Sequence, residues 1–399
     1  MAVKRFSDGS SIKNSYKMGR GATSAAIPEA PTIGVATTTG SNTATVAYTA
    51  ATLGAAGSTF TATSSPSSLT GTGASPITVS GLTASTNYTF TVKASNANGD
   101  SPASSASNQI TTDATAVIDY LVVAGGGSGG GNHGGGGGAG GMRCTVTGTG
   151  GSGSLETALT LSLSTNYTVT VGAGATGDNG STGGQNGSNS VFSTITSTGG
   201  GAGNRPAVNN AGSGGSGGGG NDYTDTITNQ AGGAASPANQ GFAGGSGTNN
   251  ASTHKGAGGG GASAAGADVV GGGTGNGGVG GDGRATSISG TSVTYAGGCG
   301  GGIQNVYSGG AGGTGGGGAG GAGGVAGTAG TVNTGGGSGG GGGNGALSGN
   351  GGSGIVVLRY LTSFGTITFG AGVTGTTATD GSYKVSTITA ATAGNVSWA

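Results

Sequence analysis

Gly309-Gly310-Ala311-Gly312-Gly313-Thr314 repeats with a period of three, and what that period can build decides the architecture. Such runs fill residues 125–354. Of the 106 glycines in the 399-residue chain, only 11 precede residue 125 and 6 follow residue 354. Glycine loses more backbone freedom on folding than any other residue and brings no side chain to bury. A tract of this kind stays disordered unless its amides find partners in bulk. Two strand signals argue for order by bracketing it: Val117-Ile118-Asp119-Tyr120-Leu121-Val122-Val123 before and Ile355-Val356-Val357-Leu358-Arg359-Tyr360-Leu361 after.

Collagen is excluded. The frame of three is not kept through the tract, and the chain has 7 prolines in all. The period fits a stack of extended, threefold helices of polyproline-II geometry. Faces of bare glycine let neighbouring helices approach until amide meets carbonyl, which is the polyglycine-II arrangement. Short apolar or turn-forming pieces interrupt the tract at Val191-Phe192, Tyr223, Phe242, Val269-Val270, Val293-Thr294-Tyr295, Ile303, Tyr307, Val325 and Leu347. They are expected to be edge strands and loops capping the lattice.

The rest of the composition is mainly exclusionary. Charged residues make up 6% of the chain and the formal net charge is zero, so there is no field to gather nucleic acid or an anionic membrane. No run of some 18 apolar residues could span a bilayer. Met1-Ala2-Val3-Lys4-Arg5-Phe6-Ser7-Asp8 lacks an apolar h-region, so no secretory signal is expected. Synthesis in a cytoplasm, combined with a composition suited to work outside a cell, fits a virion component released by lysis. Cys144 and Cys299 are the only cysteines and are expected to be free, inert thiols rather than a bridge.

Residues 1–28 carry Lys4, Arg5, Lys13, Lys17 and Arg20 against the single acid Asp8 and are too poor in apolar residues for a core. They read as a docking arm for another subunit or a larger particle. Residues 29–113 form a separate unit. Strand-like runs at 32–37, 43–49, 58–63, 76–80, 87–95 and 108–112, with turns between them and no helical period, predict an antiparallel sandwich.

Within that unit, Gly81-Leu82-Thr83-Ala84-Ser85-Thr86-Asn87-Tyr88-Thr89-Phe90-Thr91-Val92-Lys93-Ala94-Ser95-Asn96-Ala97-Asn98-Gly99 resembles the E–F corner and F strand of fibronectin type III modules. The resemblance places Leu82 and Tyr88 as in the tyrosine corner. Tyr88, Phe90, Val92 and Ala94 share one strand face at period two and should line the core. The family's B-strand Trp is missing, with Tyr48 in about its place.

Residues 155–174 look like two strands packed on strand 117–123, with a turn at Thr165-Asn166. Taken together, Tyr120-Leu121-Val122-Val123-Ala124-Gly125-Gly126-Gly127, Tyr167-Thr168-Val169-Thr170-Val171-Gly172-Ala173-Gly174, Ser188-Asn189-Ser190-Val191-Phe192 and Gly354-Ile355-Val356-Val357-Leu358-Arg359-Tyr360 resemble the glycine-rich domain of tailed-bacteriophage tail fibres and adhesins, common also in marine phage structural proteins. The resemblance covers residues 117–362 and implies a rigid, non-enzymatic module displayed on a virion. If the bracketing strands are neighbours, Asp119 and Arg359 are expected to pair across them. Residues 363–399 read as a small C-terminal β element, with the lone Trp398 taken up in sheet packing.

Catalytic and ligand-binding patterns are weak. Matches to G-x-G-x-x-G are the chance product of so much glycine, and no phosphate-binding G-x-x-x-x-G-K-[ST] occurs. His133 and His254 sit among glycines without acid or Cys at ligand spacing, which favours exposed loop histidines over a metal site. Glu156 is one of two glutamates, so paired-carboxylate chemistry would need Asp178, Asp222, Asp225, Asp268 or Asp282 to converge. Asp222-Tyr223-Thr224-Asp225, the only close acidic pair, reads as a solvated turn before it reads as a calcium or sugar site.

The chain is therefore expected to be all-β with essentially no helix: a fibronectin type III-like sandwich, a glycine-rich polyglycine-II/β domain and a C-terminal β element. No enzymatic activity, cofactor or metal is expected. The expected function is a virion-surface structural and adhesive protein, a tail- or head-fibre component. The arm would bind other virion proteins, and Tyr223, Phe242, Tyr295 and Tyr307 would be loop contacts to a host glycan or protein. A homo-oligomer, plausibly a trimer, is expected. The alternative is a self-assembling extracellular filament or surface layer with strand exchange between subunits.

Overall fold

The computed structural model describes residues 26–163, 165–180, 182–206, 210–222, 229–248, 253–270, 275–304 and 306–398. The basic arm residues Lys4, Arg5, Lys13, Lys17 and Arg20 lie outside them. Among the described residues all named elements are strands except a 3-10 turn at Thr362–Phe364, so the protein is all-β. The chain divides after Ala114 into two units.

The first unit holds β1 (Thr32–Thr38), β2 (Thr43–Thr49), β3 (Thr59–Ser65), β4 (Thr70–Thr72), β5 (Ile77–Ser80), β6 (Asn87–Asn96), β7 (Gly99–Asp100) and β8 (Ile110–Thr111). One sheet has the order β1-β2-β5; the other is β4-β3-β6-β7, with β8 also on β6. Tyr88, Phe90, Val92 and Ala94 alternate inward along β6, and all four are buried. The Tyr88 hydroxyl accepts the Thr83 N–H at 3.0 Å, closing the corner ahead of β6. Tyr48 fills its place less completely than a Trp would: half-buried, it stacks on Phe60 with centroids 4.6 Å apart. Along part of β6 the partner is not a strand. Ser101, Ser104 and Ser107 each accept from β6 through the side chain and donate to it through the backbone, matching every third residue to Ala94, Val92 and Phe90.

The second unit begins with β9 (Thr115–Val123), β10 (Met142–Cys144), β11 (Leu159–Ser162), β12 (Tyr167–Thr170), β13 (Ser190–Phe192) and β14 (Ile195–Ser197). Shorter pieces follow: β15 (Asn229–Gln230), β16 (Gly247–Thr248), β17 (Val269–Val270), β18 (Arg284–Thr286) and β19 (Val293–Tyr295). It closes with β20 (Ile355–Leu361), β21 (Ile367–Phe369), β22 (Val373–Asp380), β23 (Tyr383–Ala391) and β24 (Gly394–Trp398).

A central sheet runs β10-β9-β20-β23-β22, with β11 also on β9, and a second runs β14-β13-β12-β24-β21. Ile118, Tyr120 and Val122 of β9 and Val356, Leu358 and Tyr360 of β20 face the second sheet, packing with Val169, Phe192, Val396 and Trp398. The alternate residues Leu121, Val123, Ile355 and Val357 face Ala139, Ala262 and Ala296 of the glycine-rich body. Buried on both faces, β9 and β20 need continuous apolar runs, and that is how they read in the sequence.

Three expectations are corrected here. The pair of strands in 155–174 is split, β11 joining the central sheet and β12 the second. Residues 363–398 do not stand apart, because β22 and β23 extend the central sheet while β21 and β24 extend the second. Asp119 and Arg359 are register partners across β9 and β20, but their side chains go elsewhere. Arg359 lies over the Tyr383 ring at 4.0 Å and reaches Asp380 at 3.9 Å, while Asp119 accepts from the Thr145 hydroxyl at 2.8 Å. Trp398 is fully buried and meets Tyr360 edge-on, as expected of sheet packing.

The glycine tract leaves the central sheet as a lattice of extended segments in which donors three residues apart bond to the same neighbour. Gly135, Gly138 and Gly141 donate to Asn204, Gly201 and Thr198 at 2.9, 2.8 and 2.8 Å. Gly136 and Ala139 donate to Ala257 and Gly260, both at 3.0 Å, and Gly137 and Gly140 to Ser338 and Gly335 at 3.0 and 2.8 Å. Carbonyls of the same stretch accept from Ala124, Gly127, Gly130, Ser216 and Gly219 and from the Cys299 thiol, and that of the adjoining Gly134 accepts from Gly302.

Residues 135–141 are thereby ringed by segments 124–130, 198–204, 216–219, 257–260, 299–302 and 335–338. Sixfold surroundings and a three-residue period are the polyglycine-II pattern. Such an approach leaves no room for a side chain: a Cβ at Gly135 would lie 1.9 Å from the carbonyl oxygen of Gly219. Buried backbone groups are thus paired wholesale, without ordinary sheet or helix.

Candidate functional site at the loop-bearing end of the lattice

Residues 124–130 run from β9 into the lattice for about 20 Å, at roughly 3.1 Å per residue. The chain then turns at 131–134 and returns along 135–141 to β10. Asn132 and His133 hold the turn with φ of 54° and 53°, a conformation that Asn and His tolerate better than most side chains. The Gly131 N–H donates to Asp178 at 2.8 Å, that of Asn132 to Ala346 at 2.8 Å and that of His133 to Gly342 at 2.9 Å. These bonds tie the turn to the segments around 178–180 and 342–346, and the backbone bonds from Gly302 to Gly134, from Gln304 to His254 and from Asp222 to Lys255 join 302–304, 253–256 and 221–222 to the same end.

Two polar clusters brace this end. Asp178, fully buried, holds Arg205 Nη1 with its oxygens at 2.9 and 3.1 Å and accepts the Gly180 N–H at 2.8 Å. In the second, the rings of His133 and His254 lie 5.1 Å apart, and His254 Nδ1 is 3.8 Å from Asp222 Oδ1. Asp222 Oδ1 also accepts the Lys255 N–H at 2.7 Å, whereas Oδ2 is buried without a hydrogen bond among the described residues. Burial, then the nearby His254, pushes His133 down to about 3. Burial pushes Asp222 up to about 6 against the pull of Lys255.

The expectation of an exposed loop histidine at 133 is therefore corrected: the ring is buried, because the lattice segments beyond it close over the turn. Asp222 is likewise buried rather than part of a solvated turn. Among the described residues no three His, Cys, Asp or Glu side chains are placed to hold a metal ion. Both cysteines are free and buried, and burial raises the Cys299 thiol far above the usual range, which makes it inert.

The outward side of this end is apolar in places. Val306 is 97% exposed, Val325 63% and Leu347 42%. Backbone bonds from Gly342 to Val325 and from Gly327 to Leu347 set the latter two on adjoining turns. Of the aromatic residues expected to be surface contacts, Tyr307 belongs here, half-buried beside Val306. Phe242 is half-buried in the lattice, its N–H bonded to Gly261 and its carbonyl to Gly217. Tyr295 is corrected to a core residue: it is buried in β19 against the central sheet, and burial raises its hydroxyl. Tyr223 lies outside the described residues. The three within the described residues, Phe242, Tyr295 and Tyr307, are not brought together. Val325 and Leu347 were visible as interruptions of the glycine runs, whereas Val306 was not singled out; an aliphatic interruption does not say whether it will point in or out.

Fold and site define a glycine lattice anchored on a pair of β-sheets and carrying turns at its free end. Residues 102–361 match the model of the glycine-rich domain family, and the chain belongs to that family. No curated protein matches the chain.

Proposed function

We propose that this chain is a non-enzymatic structural and adhesive protein of a tailed-phage virion, a tail- or head-fibre component made in the host cytoplasm and acting outside the cell. The observation that supports this reading most is the lattice itself. It fixes a set of turns on a stiff, almost side-chain-free body and leaves apolar residues such as Val306 exposed at its end. The basic arm docks on other virion proteins, the fibronectin type III-like sandwich acts as a spacer, and the lattice end meets a host-surface glycan or protein. The assembly is a homo-oligomer, with a trimer the natural choice for a fibre. A mass-spectrometric inventory of purified particles, with immunogold labelling to place the chain, tests this. Its presence on particles is expected, and its absence would end the reading.

A second reading is favoured by one feature. β22 is an eight-residue edge strand with alternately exposed side chains, and among the described residues no strand pairs with its outer side. An uncovered edge of this kind accepts a strand from another chain, as a self-assembling filament or surface layer requires. Filaments formed by the purified chain in electron micrographs would favour it, whereas a discrete soluble oligomer would count against it.

A further inference from the structure

An open cleft of about 790 Å³ lies at the sheet end of the glycine-rich unit, opposite the turns, between Tyr120 of β9, Arg143 of β10 and the loops around 149–157 and 238–239. From its residues we infer that it is a binding site for a neutral oligosaccharide.

The floor of the cleft is preorganised. Arg143 donates through Nε and Nη2 to the two oxygens of Glu156, both at 2.8 Å, and the Tyr120 hydroxyl donates to Glu156 as well. The hydrogen bond to Glu156 raises the Arg143 guanidinium, and burial raises the Tyr120 hydroxyl, so both stay protonated. The wall carrying Glu156 is tied down by the Glu156 N–H on Cys144 at 3.3 Å, the Gly150 N–H on Met142 at 3.0 Å and the Gly151 N–H on Ala262 at 3.0 Å.

Charge decides the class of ligand. The bidentate pair presents one positive and one negative group side by side, so an anion meets the carboxylate and a cation meets the guanidinium. A ligand rich in both donors and acceptors but without charge suits both. Nη1 of Arg143 has only a long contact to the Thr196 carbonyl at 3.5 Å and so keeps donor capacity. Ser152, Ser154 and Asn239 line the walls, and their side chains make no hydrogen bond among the described residues. Leu155, 60% exposed, offers an apolar wall to the C–H face of a sugar ring. The volume is in the range of small-ligand sites, and the open form suits a chain of a few sugars.

The test uses the purified full chain, and its result does not depend on whether the protein is found on virions. Maltotriose, cellotriose, mannotriose and triacetylchitotriose are titrated by saturation-transfer NMR, with sialyllactose as an acidic comparison. Binding of at least one neutral trisaccharide is expected. Asn239→Trp, on the exposed wall, should weaken it at least about tenfold. Arg143→Lys, which keeps the charge but loses the fork, should also weaken it about tenfold with an unchanged circular dichroism spectrum. No binding by any neutral probe at millimolar concentration, binding of the acidic sugar alone, or binding untouched by Asn239→Trp would each overturn the inference.

Discussion

Gly138 shows how tightly single residues are constrained. A Cβ there would lie 2.3 Å from the carbonyl oxygen of Ser216, a distance that real side chains do not tolerate. Gly138→Ala should therefore destabilise the second unit by about 3 kcal/mol or more, read as a fall in thermal midpoint. Gly324 is the control: a Cβ there meets nothing within 4 Å, and Gly324→Ala should be neutral or slightly stabilising. If both substitutions behave alike, the close approach of backbones is wrong.

The buried pair His133 and Asp222 sets opposite pH dependences. His133, held at about 3, stays neutral when folded but takes a proton when unfolded below about 6.5, so its contribution falls as pH drops from about 6.5 to 3. Asp222, raised to about 6, binds its proton more tightly when folded. Its burial penalty is thus fully present above about 6 and relieved on acidification towards about 4. Urea titrations should show Asp222→Asn more stable than wild type at pH 7 by up to about 3 kcal/mol, with the difference gone near pH 4. His133→Gln should lose less stability than wild type between pH 6 and 4. Parallel curves for the three proteins would show that these groups are not buried as described.

At the scale of elements, strands were legible wherever side chains alternate or run continuously apolar. β2 and β6 of the sandwich and β9 and β20 of the central sheet fall where Thr43–Thr49, Tyr88 to Ala94 and the two bracketing runs placed them. The corner is a checkable case. Tyr88→Phe removes the acceptor of the Thr83 N–H and should cost the first unit about 1 kcal/mol without changing its fold. An unchanged denaturation midpoint would mean that the bond carries no net stability. The serines at 101, 104 and 107 went unread, because a three-residue period along a β-strand is invisible to a search for period two. The glycine segments were legible as a lattice but not in their pairing. A residue without a side chain carries no label of its neighbour, so nothing in Gly134–Gly141 says that Asn204 and not Gly318 will receive its N–H. The histidine–aspartate cluster was hidden for the same reason, since 89 residues separate Asp222 from His133 and the lattice alone brings them together.

For the molecule as a whole, the two apolar clusters of the second unit lie on either side of the central sheet. Beyond them, backbone pairing takes over the work that a core does elsewhere, and a body of that kind can hold surface turns still while their sequence varies. Hydrogen–deuterium exchange of the intact chain tests this most directly, through peptides spanning residues 124–141. Amides of Gly127, Gly130, Gly135 and Gly138 should exchange as slowly as those of Leu121 to Val123 in β9. Exchange of those glycine amides within seconds, as in an unstructured chain, would contradict the lattice and with it the case for a display scaffold.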